Sequence, residues 1–399
     1  MDIELRYADP DEFPAIVDLD GASFGINYTD EDVEDARLDV DLTRMLVAVD
    51  GDWVVGASCE IPFTITLPGG SANVVGLTWV SVELTHRRRG VLRALMEQQV
   101  RNCAGQGAAA MILTASEGGI YGRYGFGNAS DTRKLVVDRR AARLRHPEPS
   151  PDVRRLTTDQ ARTVLPAIYD RWRTQTSGAL NRDDAHWQLH LLDREPYRNG
   201  MSGLFHLVHP AGYVSYRIKS EWNDGHPGHL CFITDYVIAS PDAHRALWQV
   251  LLGMDLCASI ESYRVPTDDP LPYLLADPRR VRTTEVNDGL WVRPLDTRAL
   301  LAARSYAVDL DVVLRVRDAV LGDATYRLQG GPDGARCEPA DAAPDLDLDV
   351  AELGALSLGG RRLAPMVAAG LVQADRPEVV TRVDRAFLAD RATLYGTVF

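Results

Sequence analysis

Arg87, Arg88 and Arg89 stand in a row and are followed at once by Gly90. What surrounds them gives the run its meaning. Residues 73–82 on the amino-terminal side are rich in β-branched and apolar residues, and the segment is short enough to be one buried strand. On the carboxyl-terminal side the period changes. Leu92, Met96, Val100 and Cys103 recur four, four and three apart, with Val91 and Leu95 beside them, which is one face of a helix. Residues 85–90 therefore form a tight strand-to-helix turn. Its arginines lie at a helix N-terminus, where the first amides lack intrahelical partners and the dipole favours anions. Gly90 lets the backbone approach a ligand with no Cβ in the way. The pattern is suited to cradling a diphosphate.

The order Arg87-x-x-Gly90-x-Leu92 after a strand resembles the acetyl-coenzyme A loop of the GNAT superfamily of N-acetyltransferases, which prefers a small residue where Leu92 stands. Two longer strings are more specific: Thr85-His-Arg-Arg-Arg-Gly-Val-Leu-Arg-Ala and, further on, Ala115-Ser-Glu-Gly-Gly-Ile-Tyr-Gly-Arg-Tyr-Gly-Phe-Gly127. Together they closely resemble the Eis (enhanced intracellular survival) acetyltransferases of actinobacteria, and the likeness continues to the last residue. A plainer reading is a crossover turn with a solvated arginine run. Two motifs in the right order and spacing weigh against it. The resemblance implies acetyl-coenzyme A (acetyl-CoA) as donor. In the resembling fold two parallel strands splay apart, and the backbone of Val80, Ser81 and Val82 pairs with the pantetheine arm. The pyrophosphate is then expected against Arg88, Arg89, Gly90, Val91, Leu92 and Arg93, with Ser116 and Glu117 closing the other edge.

Acetyl transfer to an amine makes two demands. An alkylammonium has a pKa near ~10.4, so it must lose a proton before attack. The departing thiolate gains from a donor close to the sulfur. Tyr121 is the expected donor, since the Eis motif has a tyrosine here that serves as general acid; Tyr124 is second in line. A single tyrosine is more often just a packed ring with a bonded hydroxyl. Gly118, Gly119 and Gly122 clear space around Tyr121 and favour the working role. For the base, the resemblance points to the α-carboxylate of Phe399. Residues 391–399 end apolar, and an apolar end gains by docking, although most termini are loose. The unperturbed pKa of such a carboxylate is near ~3.5, which partial burial raises. Mycobacterial Eis proteins place an acid just before the final residue, where this chain has Val398, and the acid in their substrate wall has no match near Phe24 and Gly25. Those departures argue against strong aminoglycoside affinity and leave acetylation intact.

Length allows two or three domains in 399 residues. A net charge of −14 opposes general nucleic-acid binding and favours cationic partners such as polyamines. The five cysteines are scattered through apolar segments without metal spacing, so they read as buried free thiols, and no metal is expected. The N-terminus is acidic and lacks an apolar signal region, and no run approaches a membrane span. Cytoplasm is the expected location; export without a classical signal would leave no mark in the sequence.

The expected domains are 1–150, 151–290 and 291–399. In the first, residues 3–7 read as a strand, a helix follows Pro10, and residues 45–62 form a hairpin about Asp50-Gly51-Asp52. The acidic segment 30–41 reads as a solvated helix or, less simply, as a pocket wall. Prolines at 147, 149 and 151 mark a boundary. Residues 232–252 then repeat strand, turn and helix, but Pro241-Asp-Ala-His-Arg245 replaces the arginines and glycine, so the second copy reads as decayed. His244 there reads as a polar neighbour of the helix start rather than a base. The last domain is α+β and resembles a sterol carrier domain; a lipid pocket does not follow from that. The fold class is thus α/β (α+β): tandem GNAT-like domains, the second degenerate, then a sterol-carrier-protein-like domain. The implied enzyme is an N-acetyltransferase tolerant of aminoglycoside or polyamine-like amines and of protein lysines, and a homohexamer by resemblance. The rival reading is a non-catalytic coenzyme A sensor with a lipid-binding third domain; it predicts no turnover.

Overall fold

In a computed structural model, residues 3–38, 40–149 and 151–399 are described. The chain divides into two units. The first comprises Met1–Ala129, Leu290–Ala389 and Phe399; the second comprises Ser130–Gly289 and Asp390–Val398.

The first unit is built on a seven-stranded sheet in the order Glu4–Tyr7, Met45–Asp50, Trp53–Leu67, Gly70–Val82, Ala110–Thr114, Leu290–Pro294 and Gly127–Asn128. Gly51 turns the expected hairpin with φ 65°, a left-handed value that suits glycine. The helix Val91–Gly105 buries Val91, Leu95, Met96, Val100 and Cys103, with Leu92 only partly buried beside them, so most of the spacing read from sequence is the buried face. The pattern does not show Gln99, which is also buried and donates to Ser58 Oγ at 3.0 Å. The acidic helix Asp30–Ala36 is capped by Thr29 and Asp32.

A second layer of this unit is a five-stranded sheet, ordered Gly334–Pro339, Ala324–Gly331, Leu310–Arg317, Leu346–Asp349 and Val372–Gln373. Leu310, Val312, Leu314 and Val316 alternate inward from one strand, and Val383, Ala386 and Phe387 close the core from the helix Pro377–Phe387. The helix Val350–Ser357 lies so close to the larger sheet that a Cβ at Gly354 would meet Val292 O at 2.0 Å, and one at Gly127 would meet Ala351 O at 1.8 Å. The buried Arg293 guanidinium joins the layers. It donates to Tyr124 O at 3.1 Å and to both Asp318 oxygens at 2.8 and 2.9 Å.

The second unit carries its own seven-stranded sheet: Val281–Asp288, Asp131–Asp138, Cys257–Val265, His229–Ile238, Gly212–Lys219, Phe205–His209 and Arg154–Leu156. Asp131–Asp138 pairs antiparallel with Cys257–Val265 and Val281–Asp288. The sheets therefore divide at Ser130, ahead of the proline cluster expected as the boundary. Leu290–Pro294 is the strand beside Ala110–Thr114 in the other sheet. Prolines punctuate the chain locally, but strand membership is set by pairing with segments more than a hundred residues away. His244 is buried, with Nε2 3.1 Å from Asp269 Oδ2; Tyr236 donates to the same carboxylate at 2.8 Å, and Trp248 to Tyr236 Oη at 2.9 Å. His244 thus belongs to a core network rather than to a helix-start surface.

Candidate active site

The central strand Gly70–Val82 is paired unequally on its two sides. Trp53–Leu67 accompanies it from Leu67↔Gly70 to Gly56↔Val82, with a bulge between Ala57 and Cys59. Opposite that bulge Trp79 takes φ 54°, a left-handed value that is unusual for a bulky residue. On its other side, Ala110–Thr114 pairs in parallel only at Val74, Val75 and Gly76. Beyond Gly76 the two strands part, and residues 77–82 carry no partner strand on that edge.

The turn after this strand is anchored from beneath. His86 is buried, its Nε2 3.2 Å from Asp50 Oδ2 and its Nδ1 2.9 Å from Thr85 Oγ1, with Trp53 edge-on at 5.1 Å. Arg87 Nε donates to Val82 O at 3.4 Å. Arg88 at φ 63° and Gly90 at φ 89° are both left-handed, so the chain doubles back before the helix begins. No side chain caps that helix, and a Cβ built on Gly90 would meet nothing within 4 Å. The approach to the helix N-terminus is open. The counterpart in the second unit is closed: the helix Pro241–Leu252 starts on Ser240, whose Oγ accepts the Ala243 amide at 3.1 Å.

A cavity of about 780 Å³ opens along this edge and turn. Of the residues expected from sequence, Val80, Ser81, Val82, Arg88, Gly90, Val91, Leu92, Arg93, Ser116, Glu117 and Tyr121 line it. Arg89 and Phe399 lie outside that lining. Arg87 of the arginine run also lines it, as do Ser23, Phe24, Ile120 and Arg123, which sequence reasoning did not assign to the donor site. Ser23 and Phe24 come from the C-terminal end of the helix Phe13–Phe24, and no local motif marks them.

Tyr121 is buried, with its ring edge-on to Phe126 at 6.1 Å. Burial pushes its hydroxyl pKa up; the Ser116 side chain pulls it back in part, and Glu117 raises it further. The hydroxyl therefore holds its proton at neutral pH, as a donor must. Tyr124 also lines the cavity and is likewise raised by burial, with Arg123 and Arg93 opposing. Phe399 packs its ring on Phe63 at 5.0 Å, over Gly76 of the central strand. A Cβ on Gly76 would meet the Phe63 ring at 2.7 Å and the Phe399 ring at 2.8 Å, so that glycine makes the seat. Arginines at an uncapped helix start, an open glycine and an unpaired strand edge together fit a diphosphate carrying an extended arm. Among the described residues no group of three or more His, Cys, Asp or Glu could hold a metal ion, and no helix is long and apolar enough to cross a membrane.

A parted pair of parallel strands leading to an open helix start defines a GNAT-type N-acetyltransferase, and comparison with known proteins agrees. Acetyltransferase (GNAT) domain families match residues 4–129 and 178–294, and a sterol carrier protein domain matches residues 297–395. The chain is 36% identical over 403 residues to N-acetyltransferase Eis of Mycobacterium tuberculosis, covering 98% of each. It is 35% identical to an uncharacterized N-acetyltransferase of Streptomyces coelicolor, covering 91% of this chain and 92% of that protein. The crystal structure of Eis1 from Mycobacterium abscessus superposes with a TM-score of 0.89 at 30% identity, covering 99% of this chain and all of that one. The chain belongs to the Eis family of N-acetyltransferases.

Proposed function

We propose that the protein transfers the acetyl group of acetyl-CoA by direct attack to primary amines of polyamine-like and aminoglycoside acceptors, and to protein lysines. The reading rests chiefly on one observation: the arginine turn, the unpaired strand edge and Tyr121 line a single cavity. Arg88, Arg93 and the open helix start would hold the pyrophosphate, with Arg89 close by in sequence. The backbone of Val80, Ser81 and Val82 would hold the arm, and Ser116 and Glu117 would bound it on the far side. Tyr121 gives its proton to the departing sulfur as the C–S bond breaks and the new C–N bond forms, and the proton that the acetylated nitrogen then sheds restores the tyrosine through water. The α-carboxylate of Phe399 takes the proton from the ammonium, directly or through water. The docked ring of Phe399 and the seat made by Gly76 support that role. The negative net charge suits cationic acceptors. We further propose a cytoplasmic homohexamer, the assembly that the family resemblance implies.

Thiol release from acetyl-CoA across a panel of polyamines, aminoglycosides and lysine peptides tests this reading. Turnover with at least one polyamine is expected, with aminoglycosides weaker. A protein that binds coenzyme A yet releases no thiol with any amine would overturn it in favour of a sensor.

A further inference from the structure

The second unit keeps the frame of a donor groove without its charges. His229–Ile238 and Cys257–Val265 pair in parallel as far as Ile233↔Ser262 and then part, as the corresponding strands of the first sheet part after Gly76↔Ile112. Beside the parting strands is a cavity of about 180 Å³, lined by Asp235, Tyr236 and Arg264 from the strands and by Leu394 and Gly396 from the chain's own tail.

The tail is gripped there, residue by residue. Leu394 N donates to Ser177 O at 3.0 Å, and Leu180 N donates to Tyr395 O at 3.1 Å. Thr393, Leu394, Tyr395 and Thr397 are all buried. The grip centres on Arg182, whose side chain is 1% exposed. One part of its guanidinium donates to Asp235, Nη1 to Oδ2 at 2.9 Å and Nη2 to Oδ1 at 3.4 Å. Nη1 also donates to Tyr213 Oη at 3.3 Å, and the tail accepts from Nη2 through Gly396 O at 2.8 Å and from Nε through Thr397 Oγ1 at 3.3 Å. Its flat face stacks 4.0 Å over the Tyr169 ring. Tyr169 Oη lies 2.8 Å from Thr397 Oγ1. Gly396 takes φ 71°, and a Cβ there would meet Tyr169 Oη at 2.7 Å and the Trp172 ring at 2.8 Å. Asp235 is in turn held by Tyr213 Oη and His190 Nε2, each at 2.7 Å.

A buried guanidinium needs acceptors for all its donors, and here the tail supplies some that the domain does not. Core packing alone would not call for a glycine in a left-handed conformation fitted under a tyrosine hydroxyl. We propose that the decayed donor groove of the second domain has become a clamp for the chain's own last residues, with Arg182 as its positioning residue. Gly396 and Thr397 are fixed by the clamp, and Phe399 follows two residues later on the same backbone. The clamp's effect on turnover rests on the reading of the Phe399 carboxylate as base; its grip on the tail does not.

Full-length Gly396→Ala and Thr397→Val test the clamp, with Arg182→Met beside them, since that variant also strips Asp235 of its cation. Two readouts are needed: the rate at which carboxypeptidase releases the C-terminal residues, and kcat against the KM for acetyl-CoA. The clamp predicts digestion about tenfold faster for Gly396→Ala and Thr397→Val. It also predicts kcat lowered roughly tenfold to a hundredfold, with the KM for acetyl-CoA unchanged. Unaltered digestion in Gly396→Ala and Thr397→Val would overturn the clamp. Faster digestion with unaltered kcat would overturn the positioning role. A chain extended by one residue after Phe399 separates the two claims. Full kcat in that chain would remove the terminal base while the digestion rates still judge the clamp.

Discussion

Two left-handed residues, Arg88 at φ 63° and Gly90 at φ 89°, set the shape of the arginine turn. For Gly90 a Cβ would meet nothing, so the cost of alanine there is conformational rather than steric. That cost is about 1–2 kcal/mol. Gly90→Ala is accordingly expected to raise the KM for acetyl-CoA about tenfold with a smaller change in kcat; an unchanged KM would show that the turn does not hold the donor. The role proposed for Tyr121 belongs to the same scale: burial raises a hydroxyl pKa that already leaves the group protonated at neutral pH. These residues could be read from sequence because their chemistry is local: charge, glycine and helix start are consecutive. Gly76 could not, since its meaning depends on Phe63 and on Phe399, which lies more than three hundred residues away. Ser23 and Phe24 escaped for the same reason.

Among the elements, the two strand–turn–helix copies differ where chemistry would need them to. One helix starts on Gly90 without a side-chain cap, the other on Ser240 with its amide satisfied. The periodicity of the helix Val91–Gly105 was plain in the sequence because burial of one face imposes it. The buried polar residues were not. His206, from the strand Phe205–His209, sits between Ser215 Oγ at 2.8 Å and Thr158 Oγ1 at 3.4 Å. Burial pushes its pKa down to about 4. An unfolded chain, with histidine near ~6.5, therefore binds more protons across that interval. The stability that neutral His206 contributes to the second unit is complete above about pH 6.5 and is lost as pH falls toward about 4. Melting temperatures taken through this window should fall with pH, and less steeply in His206→Gln. An identical slope in the variant would show that another group carries the acid sensitivity.

Over the whole molecule, strand pairing rather than local punctuation sets where the two sheets divide. Asp131–Asp138 completes the second unit's sheet and Leu290–Pro294 the first unit's, and neither assignment leaves a trace in the flanking residues. Within the first unit the sterol-carrier layer is part of the same packed body as the catalytic sheet. Arg293, with a fully buried side chain, bonds both to Tyr124 O next to the donor cavity and to Asp318 of the third domain. Removing one partner of such a pair leaves an uncompensated buried charge, a cost of about 3–5 kcal/mol. Arg293→Ala should lower the denaturant midpoint of the first unit by a corresponding amount; a midpoint within error of the parent protein would mean that the layers are held by apolar packing alone. The proposed reaction depends on a proton delivered inside the cavity. Single-turnover thiol release by Tyr121→Phe, with acetyl-CoA binding measured on the same samples, tests that most directly. The expected result is a rate roughly a hundredfold or more below the parent protein with binding unchanged, whereas equal rates at equal occupancy would contradict it.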